Sequence, residues 1–492
     1  MRRICAGLAA AFLVLTAQAQ AAPKDTVTIG MILEPPGLDP TAGAAAAIGE
    51  IAHDNIFECL TKINADNSVT PQLADSWTVS DDLKTYTFKL KSGITFQNGE
   101  PFTAADVKFS FERAAAADST NKIKAFFQTI DKIETPDPSS IAITLKQPNP
   151  DVLFDLGMSP SVIVEPKSAG TNATKPVGTG PFKFDSWVKG SSVTLTKWDG
   201  YRAAKTIALN KVTFRIINDP AAQVAALLAG DVDAFPRFGS FESVAQFQSD
   251  PRFTVTVGGT EGKTILAMNN KKKPLDDVRV RQAIAYAIDR KAVIDGAQSG
   301  YGTPIGSHMV PGDPGYVDLT AAYPYDPEKS KSLLKATGVA LPLQLTLQLP
   351  PPPYARQGGE IIAAELAQVG IETKIENIEW AQWLSGVYTN KNYDLTVISH
   401  VEPLDIGIYA NPNYYFNYDS KAFQDLYAKI STTADPQEHL KLLGDAQRML
   451  VTDCVNAFLF QLPQVTIANK NLHGLWKNSP IFVNDMSAVS WE

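Results

Sequence analysis

The chain has 492 residues, of which 44% are hydrophobic, and a formal charge of −8 at neutral pH. This length predicts two to four domains with substantial cores. A mildly acidic chain without a long Lys/Arg stripe is poorly suited to nucleic acid, so nucleic-acid partners are excluded.

The N-terminus predicts an export signal. Two arginines precede an apolar run from Ile4 to Leu15, and Ala-x-Ala triplets end at Ala21. This order is typical of a secretory signal peptide, assigned to residues 1–21, and the run is too short for a permanent membrane anchor. Cys59 and Cys454 are the cysteines beyond it, and two buried free thiols are favoured over a disulfide between them.

The next segments predict a strand and a helix. Thr26–Leu33 has the pattern of a strand, and a turn-rich Pro/Gly segment follows it. After a run of small residues from Ala42 to Ala47, a helix is predicted from about Ile48 to Leu60.

A compact block of strands and a helix occupies residues 72–113. Thr85–Leu90 alternates apolar and polar residues, which is the period of a half-buried strand. Glycine turns flank a second short strand, Ile94–Phe96. Thr103 stands where an N-cap belongs, with Asp106 three residues later, so a capped helix is predicted. Nothing in this block indicates catalysis.

A glycine-rich turn follows at residues 176–184, PVGTGPFKF. A Gly-x-Gly can belong to a phosphate-binding loop, but no Gly-Lys-Ser/Thr follows here. Pro181 and the alternation of Phe182 and Phe184 indicate a structural turn that leads into a strand.

These two segments resemble the bacterial extracellular solute-binding protein family 5, the periplasmic peptide- and nickel-binding components of ABC importers. Residues 277–294, DVRVRQAIAYAIDRKAVI, also resemble the helix that opens the second lobe in this family. The pattern predicts one amphipathic helix, Asp277–Ala292, with Arg279, Arg281 and Arg290 facing outward. The resemblance covers nearly all of the mature chain.

The resemblance implies an α/β, two-lobed periplasmic binding protein-like fold of type II, with a ligand cleft between the lobes and an extra subdomain in the first lobe. The first lobe would comprise residues 22–50, 180–265 and 470–492. Residues 51–179 would form the appended subdomain, and residues 266–469 the second lobe.

Catalytic and metal-binding patterns are missing from the sequence. The five histidines are scattered without zinc-protease spacing, and no G-x-S-x-G nucleophile elbow occurs. We therefore expect no enzyme activity, no catalytic residues, no metal site and no cofactor. A secreted hydrolase stays a remote alternative.

Two stretches are candidate ligand-binding segments by resemblance to the peptide-binding members. Arg356, after a proline-rich loop, would pair with a ligand carboxylate, although a surface arginine in a first helical turn is an equal alternative. In the loop after Ser399, Asp405 would bind the ligand ammonium, with Glu402 as its competitor. His400, at the start of the same loop, is a further ligand-binding candidate and the residue that keeps a metal chelate among the alternative ligands. Trp380, Trp383 and Tyr409 would line the pocket, and ordinary packing is an equal alternative for both tryptophans.

The predicted function is a periplasmic, monomeric substrate-binding protein of an ABC importer. It would capture a short peptide or related amino-terminated solute by hinge closure and deliver it to the permease subunits in the inner membrane. A nickel or other metal chelate, an opine or an oligosaccharide is the alternative ligand.

Overall fold

The computed structural model describes residues 24–43 and 45–492, so the predicted signal peptide lies outside the described residues. Separate buried apolar cores lie mainly within the ranges predicted for the first lobe, the appended subdomain and the second lobe, and the first of them also includes Phe57 and Val162 from the range predicted for the subdomain. In the part of the chain that is described, no helix is both long enough and apolar enough to cross a membrane.

The subdomain is built on a four-stranded antiparallel sheet, in the order β4-β5-β7-β6. Tyr86, Phe88 and Leu90 of β5 are buried, which confirms the predicted alternation. The capping box is also confirmed, because the backbone N–H of Thr103 donates to Asp106 Oδ2 at 2.7 Å. The elements up to this point of the chain are β1 (Thr26–Met31), α1 (Ala46–Ala52), β2 (Thr61–Ile63), β3 (Val69–Pro71), β4 (Ala74–Val79), β5 (Thr85–Leu90), α2 (Ala104–Ala115), α3 (Lys124–Phe127), β6 (Ile130–Asp137), β7 (Ser140–Leu145) and α4 (Val152–Asp155).

Two local predictions in this region are wrong. The segment predicted as strand Ile94–Phe96 forms only an isolated bridge between Thr95 and Pro101. Helix α1 ends at Ala52 instead of continuing to Leu60, because the backbone turns sharply there (Asp54 has φ 61°) and directs the following apolar residues into the core.

The first lobe continues with strands that extend one large sheet. β1 pairs in parallel with β10, and β10 and β9 continue antiparallel to β8. The Gly-x-Gly turn precedes β8 as predicted, and a Cβ on Gly178 would lie 2.0 Å from the carbonyl oxygen of Ile56. Glycine therefore serves close backbone approach here. The elements are β8 (Phe182–Val188), β9 (Ser192–Lys197), β10 (Lys211–Ile216), α5 (Pro220–Ala229), β11 (Ala234–Phe235), α6 (Val244–Ser249) and β12 (Phe253–Met268).

The second lobe has a βαβ unit at its centre. β14 pairs in parallel with β15, which follows it across helix α10, and with β16. The elements are α7 (Val278–Tyr286), α8 (Arg290–Gln298), β13 (Thr303–Pro304), α9 (Pro327–Thr337), β14 (Leu343–Leu349), α10 (Pro353–Gln368), β15 (Ile371–Asn377), α11 (Trp380–Gln382, continued by a π-helix over Trp383–Thr389), β16 (Leu395–His400), α12 (Lys421–Ile430), α13 (Pro436–Thr452) and β17 (Asn456–Asn469). The chain then returns to the first core with β18 (Leu472–His473) and β19 (Ser490–Trp491).

The helix predicted over Asp277–Ala292 is two helices. Asp289 accepts hydrogen bonds from the N–H groups of Lys291 and Ala292, so it caps α8 and separates it from α7. The outward orientation predicted for Arg281 is wrong as well, because this side chain is buried. It donates to the carbonyl oxygens of Cys454 (2.8 Å) and Asp453 (2.7 Å), just beyond the C-terminus of α13.

Arg290 is half-buried rather than outward, and its Nε donates to the carbonyl oxygen of Phe458 at 2.7 Å. Both mature cysteines are buried and free, which confirms that prediction. Burial raises the pKa of the Cys454 thiol to about 12, so this thiol stays protonated and unreactive at neutral pH.

Two long strands, β12 and β17, join the lobes. Residues 253–259 of β12 pair with residues 463–469 of β17 beside β11, and residues 263–268 of β12 pair with β16 of the second lobe. The register of the two long strands shifts between Gly259 and Lys263. We propose that the lobes divide at this bulge.

Candidate ligand-binding site

Two adjoining cavities lie between the lobes. The first, of about 390 Å³, is bounded on one side by residues 147–158 of the subdomain and on the other by loops and helices of the second lobe. The second, of about 380 Å³, lies beside the small-residue loop at Gly43 and Ala45. Asp155 and Met158 line both, so the cavities are parts of one cleft.

Lys263 and Asp405 form a buried ion pair at the wall of the first cavity. Lys263 Nζ lies 2.8 Å from Asp405 Oδ1 and donates to the carbonyl oxygen of Glu402 at 2.6 Å. Burial opposes the charge of Lys263, but the carboxyl groups of Asp405, Glu261 and Asp313 together outweigh it and raise the lysine pKa. Burial likewise opposes the charge of Asp405, and Lys263 holds the pKa of this carboxyl well below its usual range. Both groups are therefore ionised.

Two histidines complete this cluster. His308 Nε2 lies 3.1 Å from Asp405 Oδ1, and Tyr409 Oη lies 2.9 Å from His308 Nδ1. Asn456 donates to the same tyrosine oxygen, so the tyrosine O–H is left to donate to Nδ1 and the proton of a neutral His308 is placed on Nε2, toward Asp405. Burial lowers the pKa of His400 to about 3, and the neighbouring His308 imidazole adds to the effect because both rings cannot be protonated together.

His308, His400 and Asp405 have ligand atoms within 4.8 Å of one another, a spacing that suits a metal ion. The Lys263 ammonium lies 2.8 Å from the same carboxylate and already supplies its positive counter-charge. A divalent ion at this point would meet an ammonium in a dry environment, which costs Coulomb energy. The donor set therefore fits an internal ion pair with imidazole hydrogen bonds better than it fits a metal.

The structure brings three of the six predicted site residues together. His400, Asp405 and Tyr409 belong to the cluster, and of these Asp405 lines the cavity. Trp383 is buried and donates from Nε1 to Thr396 Oγ1 at 3.1 Å, which is ordinary core packing.

Trp380 and Arg356 lie outside both cavities, whereas Glu402 lines the second cavity. Trp380 is 42% exposed. Arg356 lies 3.3 Å from Glu379 at the surface of α10, in the first helical turn. Glu402, the competitor of Asp405, turns its side chain to solvent, 3.9 Å from Lys122.

Three acidic residues of the first cavity were missed. Asp151 and Asp155 flank helix α4 and reach the cleft from the subdomain, and Asp313 reaches it from the second lobe. Among the described residues, none of these carboxylates has a Lys, Arg or His nitrogen within 4.0 Å. Two aspartates four residues apart could have indicated one helical face, but no local pattern shows that this face meets a cleft.

Burial raises the pKa of Asp155 to about 7, and the charge of Asp151 adds to the effect. Burial also raises the pKa of Asp151. Asp313 is more than nine-tenths buried, and its Oδ1 accepts no hydrogen bond from the described residues. Its neighbour Glu261 has a raised pKa because of burial and the Asp313 charge. The cavity is therefore an acidic environment with incompletely neutralised carboxylates.

Comparison with known proteins gives the family. Residues 68–422 match the model of the bacterial extracellular solute-binding proteins, family 5. The glutathione-binding protein GsiB of Escherichia coli O1:K1 is 29% identical over 463 residues, which is 89% of each chain.

Solved structures of related binding proteins have the same fold over almost the whole length of this chain. The binding protein AgaA from A. tumefaciens R10, in complex with agropinic acid, has 27% identity and a TM-score of 0.78, over 95% of this chain and 99% of AgaA. DppA from Helicobacter pylori, in complex with the peptide STSA, has 25% identity and a TM-score of 0.78, over 96% and 98%. The two-lobed fold is confirmed, and the chain belongs to the bacterial extracellular solute-binding proteins of family 5.

Proposed function

We propose that this protein captures a short peptide or a related amino-terminated solute in the cleft between its lobes and delivers it to the permease of an ABC importer. The observation that carries the proposal is the cleft itself, whose cavities are lined from both lobes and the subdomain. A ligand enclosed in this way contacts both lobes at once, so its binding favours the closed arrangement.

The joining strands supply the hinge. The pairing of β12 with β17 shifts in register twice, between Gly259 and Lys263 and between Thr264 and Ile265, and the first shift falls where the sheet passes from one lobe to the other. A bulge of this kind locally disrupts the ladder and lets two strands bend. Export to the periplasm and recognition of the closed form by the permease belong to the same proposal, supported by the family membership.

The cavity charge favours a ligand with a positive end. Among the relatives, GsiB binds glutathione, and the structures of DppA and AgaA contain the peptide STSA and agropinic acid. Glutathione carries two carboxylates and one ammonium at neutral pH. A cavity lined by Asp151, Asp155 and Asp313 disfavours such an anion, so we place this protein with the binders of peptides and other amines.

We retain Asp405, His400 and Tyr409 as site residues, with Asp405 forming the wall through its pair with Lys263. The carboxylates of Asp151, Asp155 and Asp313, which form no ion pair among the described residues, are better placed to bind the ligand ammonium. Arg356 stays a candidate for the ligand carboxylate; that role requires its release from Glu379.

Native mass spectrometry of the mature protein, purified gently from its own periplasm, tests the proposal. A co-purified peptide or amine is the expected result, identified after denaturing release. A bound sugar or metal complex would contradict the ligand class and leave the fold unaffected. Turnover of the bound compound would contradict the binding-protein assignment.

A further inference from the structure

Above the raised pKa of Asp155, which is about 7, the first cavity holds more negative charge than one ligand ammonium requires. Asp405 is already neutralised by Lys263, so it adds little to the field inside the cavity. Asp151, Asp155 and Asp313 remain, two on the subdomain side and one on the other. A single α-ammonium would leave most of this charge uncompensated in a partly dry space.

We propose that the solute carries a second cationic group, an ammonium or guanidinium on a flexible stem, which binds between Asp151 and Asp155. The inference rests on the proposed function and narrows its ligand class to basic peptides and related diamino or guanidino compounds.

The geometry of α4 supports this assignment. Asp151 precedes the helix and Asp155 ends it, so the two carboxylates lie about one turn apart, near neighbours on one helical face. Asn149 donates to Asp155 Oδ2 at 3.1 Å, and the described residues donate no hydrogen bond to the carboxylate of Asp151. A group with several N–H donors can bridge two such acceptors.

Asp313 supplies independent support. Its side chain is more than nine-tenths buried at the cavity wall and has Glu261 as an acidic neighbour. Oδ2 accepts a hydrogen bond from the N–H of Val310 at 2.9 Å, and Oδ1 accepts none from the described residues. Leaving a buried carboxylate oxygen unpaired is costly, which favours a donor that arrives with the ligand. Asp313 can accept the α-ammonium while the α4 pair accepts the second cation.

A compact metal ion fits less well. Among the described residues, the group of three ligating atoms within 4.8 Å of one another comes from His308, His400 and Asp405. Asp151, Asp155 and Asp313 do not form such a group. Carboxylates spread around a cavity suit an extended cation with separate donors. Phe154, Ile430 and Leu443 add an apolar wall against which an aliphatic stem can lie.

Isothermal titration calorimetry at pH 8 with matched peptides tests the inference. The probes are Ala-Lys and Ala-Ala-Lys, each compared with its norleucine counterpart, which keeps the stem and lacks the cation. We expect the lysine peptides to bind at least tenfold more tightly to the mature protein. In the D151N/D155N variant the lysine preference should fall to about twofold or less, with the norleucine affinities unchanged.

Asp131→Asn is the matched control, because Asp131 is an exposed aspartate of the same subdomain, outside the cleft. It should keep the full lysine preference, and unchanged thermal unfolding of all variants shows that they fold. Equal affinity for lysine and norleucine peptides would overturn the inference and leave the proposed function standing. Binding of none of the four peptides to the folded protein would overturn both.

Discussion

At the residue scale, the central feature is a lysine ammonium that is 1% exposed and paired with one carboxylate. Two buried opposite charges attract strongly, but each has given up its hydration, so the pair adds little net stability. Removing one partner lowers the free energy of unfolding, because the other charge stays buried and unpaired. Lys263 and Asp405 are therefore expected to behave as a unit.

Asp405→Asn should lower the free energy of unfolding by about 3 kcal/mol, because it leaves the Lys263 ammonium without its counter-charge. The K263M/D405N double variant should recover most of this loss. Urea denaturation at pH 7 measures both. Asp425→Asn, which removes a surface carboxylate paired with Lys421, is the control and should change stability by about 0.5 kcal/mol or less.

The same experiment separates two roles of Asp405. Unchanged stability combined with a tenfold or greater loss of peptide affinity would contradict the internal pair. It would support the ammonium-binding role that the resemblance implies for this residue.

The raised pKa of Asp155 predicts that the affinity for a cationic ligand depends on pH. Its pKa is raised to about 7, so the free protein holds a proton there below pH 7 and a carboxylate above it. Binding of a cation favours the carboxylate, so affinity for Ala-Lys should rise between pH 5.5 and 7.5, by at most about tenfold per pH unit.

Calorimetry across this range checks the prediction, and Asp155→Asn should flatten the profile. Asp151, Asn149, Tyr427 and His439 face the same carboxylate. A parallel series with His439→Gln isolates the contribution of that imidazole. A flat profile in the unmodified protein would contradict the role of Asp155.

At the scale of elements, the contact between α7 and the C-terminus of α13 depends on one side chain. Arg281 donates to four carbonyl oxygens, those of Leu275, Asp276, Asp453 and Cys454. Carbonyl groups at a helix C-terminus lack intrahelical donors and carry partial negative charge, so a buried guanidinium satisfies them well. A helical period places Arg281 on a face, but it does not identify what that face meets.

Arg281→Met should lower the free energy of unfolding by about 3 kcal/mol, because buried carbonyl groups lose their donor. Arg279→Met is the control on the same helix, since Arg279 is exposed and pairs with Asp277 at the surface. Guanidinium chloride denaturation compares the two. Equal effects of the two substitutions would contradict the buried role of Arg281.

At the scale of the whole molecule, the two lobes share two strands and enclose an acidic cleft. In the proposed closure, bending at the bulge between Gly259 and Lys263 would move one lobe against the other without breaking either core. A ligand that neutralises carboxylates on both sides removes the repulsion that opposes closure.

Saturating Ala-Lys should therefore reduce the radius of gyration of the mature protein in small-angle X-ray scattering. The D151N/D155N variant at the same peptide concentration should show a smaller reduction, because less of it is bound. An unchanged radius in a protein shown by calorimetry to be saturated would contradict closure on binding.

Much of this protein followed from its sequence alone. The alternation in Thr85–Leu90, the capping box at Thr103 and the close turn at Gly178 depend on neighbouring residues, so their local patterns were sufficient. The two-lobed α/β fold and the family also followed, because the resemblance extends over nearly the whole chain.

Only the tertiary structure decided which charges meet. Lys263 and Asp405 are far apart in the chain, and so are Asp151 and Asp313, yet each pair lines one cavity. An aspartate in a ligand loop has the same local pattern whether its counter-ion is a ligand or a buried lysine. Burial and the approach of distant groups determine the energy of a charge, and these are properties of the folded chain.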